Sequence, residues 1–308
     1  KNAIRSDRVG HAYLFSGPEH VGKFALAKMF AESLITKKTL SSEVNEPCKE
    51  ALLDLIVVSP DISEKKGAIK QKDISIETVR DAKKSLSLFP YCGKLKVLIV
   101  DDAHKMNTAA QNAFLKILEE PNPTTVIILV TSEIERILPT IRSRAQIISF
   151  GLIGDEEMRN NFTEEIVHLS VGRPGLACFM CEDKNEFVAR GEWIDQFQRL
   201  ANGSLGDKLA MAEDLSKDVV RTIEKLNLWI WRIRNEVSER AGAENRNESY
   251  LKIEKIEKAV EFSKTPTRTQ KLYWKPCLWN FRIPMNAAVV IVARAVMFSS
   301  TCKSIAFL

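Results

Sequence analysis

Residues 12–23 of the chain read Ala-Tyr-Leu-Phe-Ser-Gly-Pro-Glu-His-Val-Gly-Lys, an apolar run followed at once by a glycine-rich loop. The apolar part, Ala12–Phe15, is typical of a buried parallel strand. Gly17, Gly22 and Lys23 have the spacing of a phosphate-binding loop. An amphipathic pattern over Phe24–Ile35 predicts a helix after it, with Leu26, Phe30, Ala31 and Leu34 together on its apolar side. Small residues let backbone N–H groups surround a phosphate, and a helix N-terminus favours anions. We therefore expect these three residues to bind a nucleotide; the alternative is a plain glycine-rich turn.

The residue after Lys23 departs from this chemistry. A Ser or Thr hydroxyl usually holds Mg²⁺ at that position, and the phenyl ring of Phe24 cannot ligate a metal. Further along, the apolar run Leu98–Val100 ends in Asp101 and Asp102. In a nucleotide site the first carboxylate lies near Mg²⁺ and the second orients the attacking water; the alternative is an acidic helix cap. Asp102 is one methylene shorter than the usual Glu, which disfavours correct positioning of that water. From the loop and the two acids we expect ATP or ADP and weakly held Mg²⁺ to bind, and we expect weak or no hydrolysis.

Other short apolar runs alternate with helical patterns through the first 150 residues. The runs are Leu55–Val58, Val97–Val100, Val126–Val130 and Gln146–Phe150. Helical periodicity occurs at Ile76–Leu88, with Ser75 as the expected N-cap, and at Thr108–Leu118. This alternation predicts an α/β fold whose parallel sheet is covered by helices on both faces. After Gly151 the strand-like runs stop, so the remainder of the chain is predicted to be helical.

The composition of the 308 residues is that of a globular protein, with 45% apolar residues, 28% charged residues and a net charge of +5. This balance excludes fibrous and disordered proteins, and the charge permits an acidic partner without requiring one. No apolar run approaches the ~18 residues of a membrane span, and because residues 1–8 are polar we expect no secretory leader there. The 6 scattered cysteines favour a reducing compartment, so we expect a cytoplasmic protein. Since the chain lacks an initiator Met, we expect it to be truncated at the front.

Further candidate residues lie outside the loop and the paired acids. Arg142 and Arg144 precede the last strand-like run, where an arginine either forms salt bridges within this chain or reaches a phosphate on a neighbour. Thr131, at the end of the preceding run, either contacts a phosphate or caps the turn after it. Arg173, in a Gly-Arg-Pro-Gly corner, has the same two interpretations as Arg144.

Cys178 and Cys181 form a Cys-x-x-Cys pair in an apolar stretch. A structural zinc site usually takes four ligands, and this pair has neither a second pair nor a nearby histidine in the sequence. We therefore do not expect zinc.

Several blocks of sequence resemble one bacterial family. They are residues 11–18, His-Ala-Tyr-Leu-Phe-Ser-Gly-Pro; residues 101–103, Asp-Asp-Ala; residues 110–121, Ala-Gln-Asn-Ala-Phe-Leu-Lys-Ile-Leu-Glu-Glu-Pro; and residues 138–146, Leu-Pro-Thr-Ile-Arg-Ser-Arg-Ala-Gln. Together they resemble the bacterial clamp-loader subunits of DNA polymerase III, and the third block is highly specific. The resemblance covers about residues 3–180 well and the helical remainder loosely.

The resemblance implies an AAA+ P-loop core at residues 1–150, a small helical lid at 151–185 and an all-α collar for oligomerisation at 186–265. It implies a role in DNA replication, as one component of the DNA-directed DNA polymerase (nucleotidyltransferase) holoenzyme. The implied partners are gamma/tau and delta subunits in a hetero-pentamer, the sliding clamp, and primed DNA reached through the complex. It also implies that Arg144, where Ser-Arg-Ala replaces the family's Ser-Arg-Cys, is an arginine finger acting on a neighbour's ATP.

Within the family the sequence favours the delta-prime type over the gamma/tau motor type. A motor resembling gamma or tau should keep a Ser or Thr after Lys23 and a four-cysteine zinc module after the first helix. This chain has Phe24 and, near that place, only Cys48. Two alternatives stay open: a working gamma/tau-type ATPase, and a scaffold that neither binds nucleotide nor supplies a finger.

Residues 266–308 resemble nothing in the family, and Tyr273–Trp279 has neither helical nor strand periodicity. Translation in a shifted frame lets Pro266–Leu272 read Asn-x-Asn-Pro-Lys-Ile, which resembles the family's ending. We therefore expect this tail to be out of frame, with a divergent but genuine tail as the alternative. Sequencing the gene across Ser263–Lys275 distinguishes the two.

Overall fold

The computed structural model describes residues 9–36, 51–60, 62–65, 68–71, 73–91, 95–202, 211, 215, 218–239, 253–254 and 256–258. The chain divides into two compact units. The first comprises Lys1–Asn161 and Gly172–Leu176, and the second comprises Phe162–Val171 and Ala177–Leu308. The expected boundaries of the core, lid and collar stay predictions, and the suspected out-of-frame tail lies outside the described residues.

The first unit is built on a parallel sheet of five strands. The strands are β1 (Ala12–Ser16), β2 (Leu55–Val58), β5 (Lys96–Val100), β6 (Thr125–Thr131) and β7 (Gln146–Ser149), and their order across the sheet is β2-β5-β6-β1-β7. β3 (Ile62–Lys65) and β4 (Ala68–Gln71) form a separate antiparallel hairpin that the sequence pattern did not predict. Every pairing within the five-stranded sheet is parallel, so the predicted α/β class is confirmed.

Helices connect the strands of this unit. They are α1 (Lys23–Thr36), α2 (Ile76–Ser87), α3 (Thr108–Glu119), α4 (Pro139–Arg142) and α5 (Asp155–Arg159), with short 3₁₀ turns at Ala51–Asp54, Ala103–Lys105 and Ile134–Arg136. Ser75 caps α2 as predicted, because its side chain accepts the N–H of Thr78. Asn107 caps α3 in the same way through the N–H of Ala110.

Both faces of the sheet are buried by helices. Alternate strand residues point to opposite faces, so Leu14 and Leu98 pack with α2 and α3, whereas Phe15 and Ile99 pack with α1. The sequence pattern placed Leu26 on the buried side of α1, which is wrong: Leu26 is exposed, and the buried side chains of this helix are Lys23, Ala27, Ala31, Ser33, Leu34 and Ile35.

The described residues of the second unit include helices and no strand. They are α6 (Glu164–Ser170), α8 (Lys184–Asn202) and α9 (Val219–Glu239), and α7 (Pro174–Glu182) begins in the first unit and ends in the second. Trp229 of α9 is fully buried, and its Nε1–H donates to the Trp193 carbonyl of α8 at 2.7 Å. No described helix is long and apolar enough to cross a membrane.

Candidate phosphate site and exposed arginine

The loop between β1 and α1 has a backbone that suits a phosphate. Gly17, His20 and Gly22 all have positive φ, at +155°, +60° and +90°. A Cβ atom on Gly17 would lie 2.3 Å from the carbonyl oxygen of Phe150, so only glycine fits there. The loop ends at the N-terminus of α1, which favours negative charge.

Lys23 lies inside this loop and is only 7% exposed. Its Nζ donates to the carbonyl oxygens of Gly17 at 2.8 Å and of Pro18 at 2.5 Å. Burial lowers the pKa of Lys23, and the nearby carboxylates of Glu19, Asp102 and Asp101 act in the opposite direction. The ammonium is therefore satisfied by the loop's own backbone, and a phosphate would have to draw it away from those carbonyls.

Phe24 occupies the position where a metal-binding hydroxyl is usual. Its ring packs against the apolar core on the α1 side of the sheet, and Lys28 Nζ lies 5.0 Å from the ring centroid. The side chain offers no oxygen. The loop and helix terminus therefore fit a phosphate, whereas the ligand set for Mg²⁺ lacks the oxygen that this position usually supplies.

Asp101 and Asp102 follow β5 at the same edge of the sheet. Burial raises the pKa of Asp101, and the adjacent Asp102 raises it further. Asp102 has a left-handed backbone with φ +46°, and its N–H donates to Asp101 Oδ1 at 3.0 Å. Its Oδ2 lies 2.6 Å from Lys105 Nζ, so the carboxylate expected to orient water is already ion-paired. The catalytic role of Asp102 and the metal role of Asp101 stay predictions.

Thr131 ends β6 with a fully buried side chain. Its hydroxyl accepts the N–H of Glu133 at 3.1 Å and lies 3.4 Å from His104 Nδ1. The hydroxyl accepts the Glu133 hydrogen bond, and its own O–H can donate to His104 Nδ1 when that nitrogen carries no proton. Burial lowers the pKa of His104, which favours that neutral form. Thr131 is thus engaged within the protein, and its contact with nucleotide stays a prediction.

The Gly-Arg-Pro-Gly corner lies against the phosphate loop. The N–H of Gly175 donates to the His20 carbonyl at 2.8 Å, and the N–H of Ile153 donates to the Gly172 carbonyl at 2.8 Å. A Cβ on Gly172 would lie 2.4 Å from the Ile153 carbonyl oxygen, and one on Gly175 would lie 2.8 Å from that of His20. Both glycines are therefore required for this close approach. Arg173 lies between them in sequence, and its positive charge adds to the effect of burial in lowering the pKa of Lys23.

The structure thus brings Gly17, Gly22, Lys23, Asp101 and Arg173 together as the sequence suggested. Glu19, Lys105 and His104 belong to the same cluster and were not predicted. The sequence signal for the corner is the pair Gly172 and Gly175, which enclose Arg173 and Pro174. Among the described residues there is no group of three or more His, Cys, Asp and Glu side chains placed to hold a metal ion.

Arg144 lies between α4 and β7, away from this cluster. Its Nη1 donates to the Thr140 carbonyl at 3.1 Å, and its Nη2 lies 3.0 Å from Glu119 Oε1. The two side chains are 39% and 48% exposed, so this ion pair is in contact with solvent. Exposed ion pairs of this kind contribute about 0–1 kcal/mol to the free energy of unfolding.

The strand register places Arg144 and the phosphate loop at opposite ends of the sheet. β7 pairs with β1 from Tyr13–Gln146 to Ser16–Ser149. The loop begins after Ser16, whereas Arg144 precedes Gln146, and four paired residues span about 10 Å. Glu119 gives the same result, because α3 starts after β5 ends and its last residue lies shortly before β6 begins.

Comparison with known proteins gives a consistent set of relatives. A family model described as "DNA polymerase III, delta subunit" matches residues 1–153. DNA polymerase III subunit tau of Bacillus subtilis is 34% identical over 153 residues, which cover 50% of this chain and 27% of the relative. Subunit delta' of Pseudomonas aeruginosa is 36% identical over 134 residues, covering 44% and 41%. Subunit delta' of Bacillus subtilis is 31% identical over 182 residues, covering 56% and 51%.

The chain thus spans between 27% and 51% of the length of these three relatives. Among solved structures, a gamma subunit-related protein of Thermotoga maritima aligns with 97% of this chain and 99% of its own, at 17% identity and a TM-score of 0.40. By the family match and the sequence relatives over its first half, this chain belongs to the clamp-loader subunit family of DNA polymerase III.

Proposed function

We propose that this chain is a delta-prime-like clamp-loader subunit, which helps to load the sliding clamp onto primed DNA and supplies Arg144 to the ATP site of a neighbouring motor subunit. The observation that carries this proposal is the placement of Arg144 at the end of the sheet opposite to the chain's own phosphate loop. An arginine so placed is not positioned to serve that loop. A triphosphate that Arg144 contacts therefore belongs to another subunit of the complex.

The contacts of Arg144 allow its guanidinium to leave Glu119 and contact a triphosphate on a neighbouring subunit. Its ion pair with Glu119 is exposed, so exchanging that carboxylate for a triphosphate costs little. Guanidinium groups form strong, often bidentate hydrogen bonds with phosphate oxygens. An arginine finger stabilises the negative charge that develops on the phosphate during its transfer.

The chain's own site supports a partner rather than a motor. Bound ATP would supply a triphosphate, and Mg²⁺ would neutralise part of its charge, with Gly17, Gly22, Lys23 and Asp101 as the residues that would hold them. Phe24 removes the usual hydroxyl ligand of the metal. Asp102, the residue that would orient water, is paired with Lys105. Nucleotide binding without efficient hydrolysis is the activity that this set of residues supports.

Reconstitution of the clamp loader with gamma/tau and delta subunits from the same source tests the proposal. Arg144→Ala should leave assembly intact, as seen by gel filtration, and should lower the DNA- and clamp-stimulated ATPase by at least about 10-fold, because a finger contributes ~10³–10⁵ at its own site. Arg142→Ala is the matched control, since Arg142 precedes it by two residues and pairs instead with Glu135. Its complex should hydrolyse ATP at nearly the wild-type rate.

Two results would contradict the proposal. An Arg144→Ala complex with the unmutated ATPase rate would exclude the finger. Phosphate release by the isolated chain, at the rate of a motor subunit and with DNA and clamp present, would favour the gamma/tau-type alternative. Titration of the isolated chain with a fluorescent ATP analogue separates a nucleotide-binding partner from a scaffold.

A further inference from the structure

Two cysteines lie on the same side of α7, apart from the residues of the proposed function. Cys178 and Cys181 are separated by three positions in the helix Pro174–Glu182, and residues at this spacing are neighbours on a helix surface. Both are free and exposed. Neither thiol has a hydrogen-bond partner in the part of the chain that the structure describes. The helix therefore presents two free thiols to solvent at neighbouring positions of its surface.

The helix geometry favours an ion between these sulfurs over a disulfide bond. Residues three apart in a helix have Cβ atoms about 5–6 Å from each other, whereas a disulfide needs Cβ atoms about 3.5–4.5 Å apart. Both cysteines lie within the regular helix Pro174–Glu182, whose last turn is closed by the N–H of Asp183 donating to the Phe179 carbonyl at 2.8 Å. Forming a disulfide would require this turn to distort. An ion with metal–sulfur bonds of about 2.3 Å can bridge the wider gap.

We propose that Cys178 and Cys181 form a dithiol site for a soft cation that two thiolates satisfy, with monovalent copper as its representative. Thiolates select soft ions such as Cu(I). Structural zinc sites use four ligands, and this pair supplies two. Met180, between the cysteines in sequence, is buried and packs away from solvent. On binding, each thiol releases its proton to solvent and its sulfur bonds to the ion, with no transfer of electrons between them.

Anaerobic competition between the full-length chain and bicinchoninate for Cu(I) tests this site. The wild-type chain should withdraw one more equivalent of Cu(I) than Cys178→Ser or Cys181→Ser, since the other cysteines are unchanged in all three. A spacing control combines Cys181→Ser with Phe179→Cys, which keeps the number of thiols but places them on adjacent residues that do not face each other. That control should also lack the extra equivalent.

An organoarsenical provides a second measurement on the wild-type chain, which remains valid if a variant fails to fold. Phenylarsine oxide reacts with two neighbouring thiols to form two As–S bonds and one water. The tryptic peptide 160–184 contains both cysteines, because Pro174 protects the bond after Arg173. Mass spectrometry should find one arsenical bridging the two cysteines of this peptide.

Three results would overturn the proposal. One is equal uptake of Cu(I) by the wild type and the single serine variants. The second is retention of the extra equivalent by the spacing control. The third is a wild-type peptide that carries no bridging arsenical.

Discussion

Gly17 has no room for a side chain, whereas Gly22 has, although both residues of the phosphate loop have positive φ. An alanine Cβ at Gly17 would meet the Phe150 carbonyl oxygen at 2.3 Å, and one at Gly22 would meet nothing within 4 Å. Gly22→Ala should therefore cost only backbone strain, about 1–3 kcal/mol. Gly17→Ala should cost more, because it adds a clash with backbone. Amide hydrogen exchange in β1 and β6 measures both losses, and equal losses would contradict the clash.

His104 should make the first unit sensitive to acid. Burial lowers its pKa below the ordinary value of about 6.5. Below pH 6.5 the unfolded chain therefore binds a proton that the folded chain does not. The stabilising contribution of neutral His104 is complete above that pH. It falls as the pH drops toward the lowered pKa, by at most about 1.4 kcal/mol per pH unit.

His104→Gln should remove this part of the acid sensitivity. The matched control is His11→Gln, because His11 is exposed and should leave the sensitivity in place. Hydrogen exchange of the sheet amides between about pH 7.5 and pH 5 measures the difference. Identical pH profiles for the wild type and the His104 variant would show that the ring is not held neutral by burial.

At the level of helices and strands, the sequence pattern predicted the features that depend on residues close together in the chain. β2 was predicted over Leu55–Val58 and is observed there, and the Ser75 cap of α2 was read from the residue type. The β3–β4 hairpin was missed because Ile-Ser-Glu-Lys and Ala-Ile-Lys-Gln carry no clear alternation, so each strand depends on its partner. The outward position of Leu26 depends on the way α1 docks on the sheet, which helical periodicity alone does not determine.

Gln111 of α3 forms hydrogen bonds to three backbone groups outside its own helix, and its loss should destabilise the segment 136–144, which contains Arg142 and Arg144. Its Nε2 donates to the carbonyls of Met106 at 3.1 Å and Arg136 at 3.0 Å, and its Oε1 accepts the N–H of Leu138 at 2.9 Å. Gln111→Leu leaves these three backbone groups without this partner, and each buried group left unpaired costs about 1–3 kcal/mol.

We expect Gln111→Leu to destabilise the first unit by at least about 2 kcal/mol. The neighbouring Asn112 is exposed, so Asn112→Leu is the matched control and should change stability by less than about 0.5 kcal/mol. Hydrogen exchange of α3 and of the residues before α4 reports both variants. A Gln111 variant as stable as the control would mean that the three hydrogen bonds contribute little.

For the molecule as a whole, the sequence pointed to several candidate site residues but not to the groups that hold them in place. The loop spacing predicted Gly17 and Lys23, yet the two carbonyls that hold Lys23 depend on how the loop closes in three dimensions. Contacts such as Thr131 with His104 join residues 27 positions apart, and no local pattern encodes them. The register of β7 on β1 is also a property of the assembled sheet, and it is what separates Arg144 from the loop.

Because Arg144 lies far from the chain's own phosphate loop, we predict that a metal-binding hydroxyl introduced at position 24 will not make the isolated chain an efficient ATPase. Phe24→Thr introduces the missing hydroxyl, and Phe24→Val is its control because valine has the same shape without the oxygen. We expect a fluorescent ATP analogue to bind the Thr variant more tightly in Mg²⁺ than in EDTA, with a smaller difference for the Val variant. Neither isolated chain should release phosphate appreciably, since Arg144 lies at the far end of the sheet and Asp102 remains paired with Lys105. Rapid hydrolysis by the isolated Thr variant would show that one chain can complete the site alone.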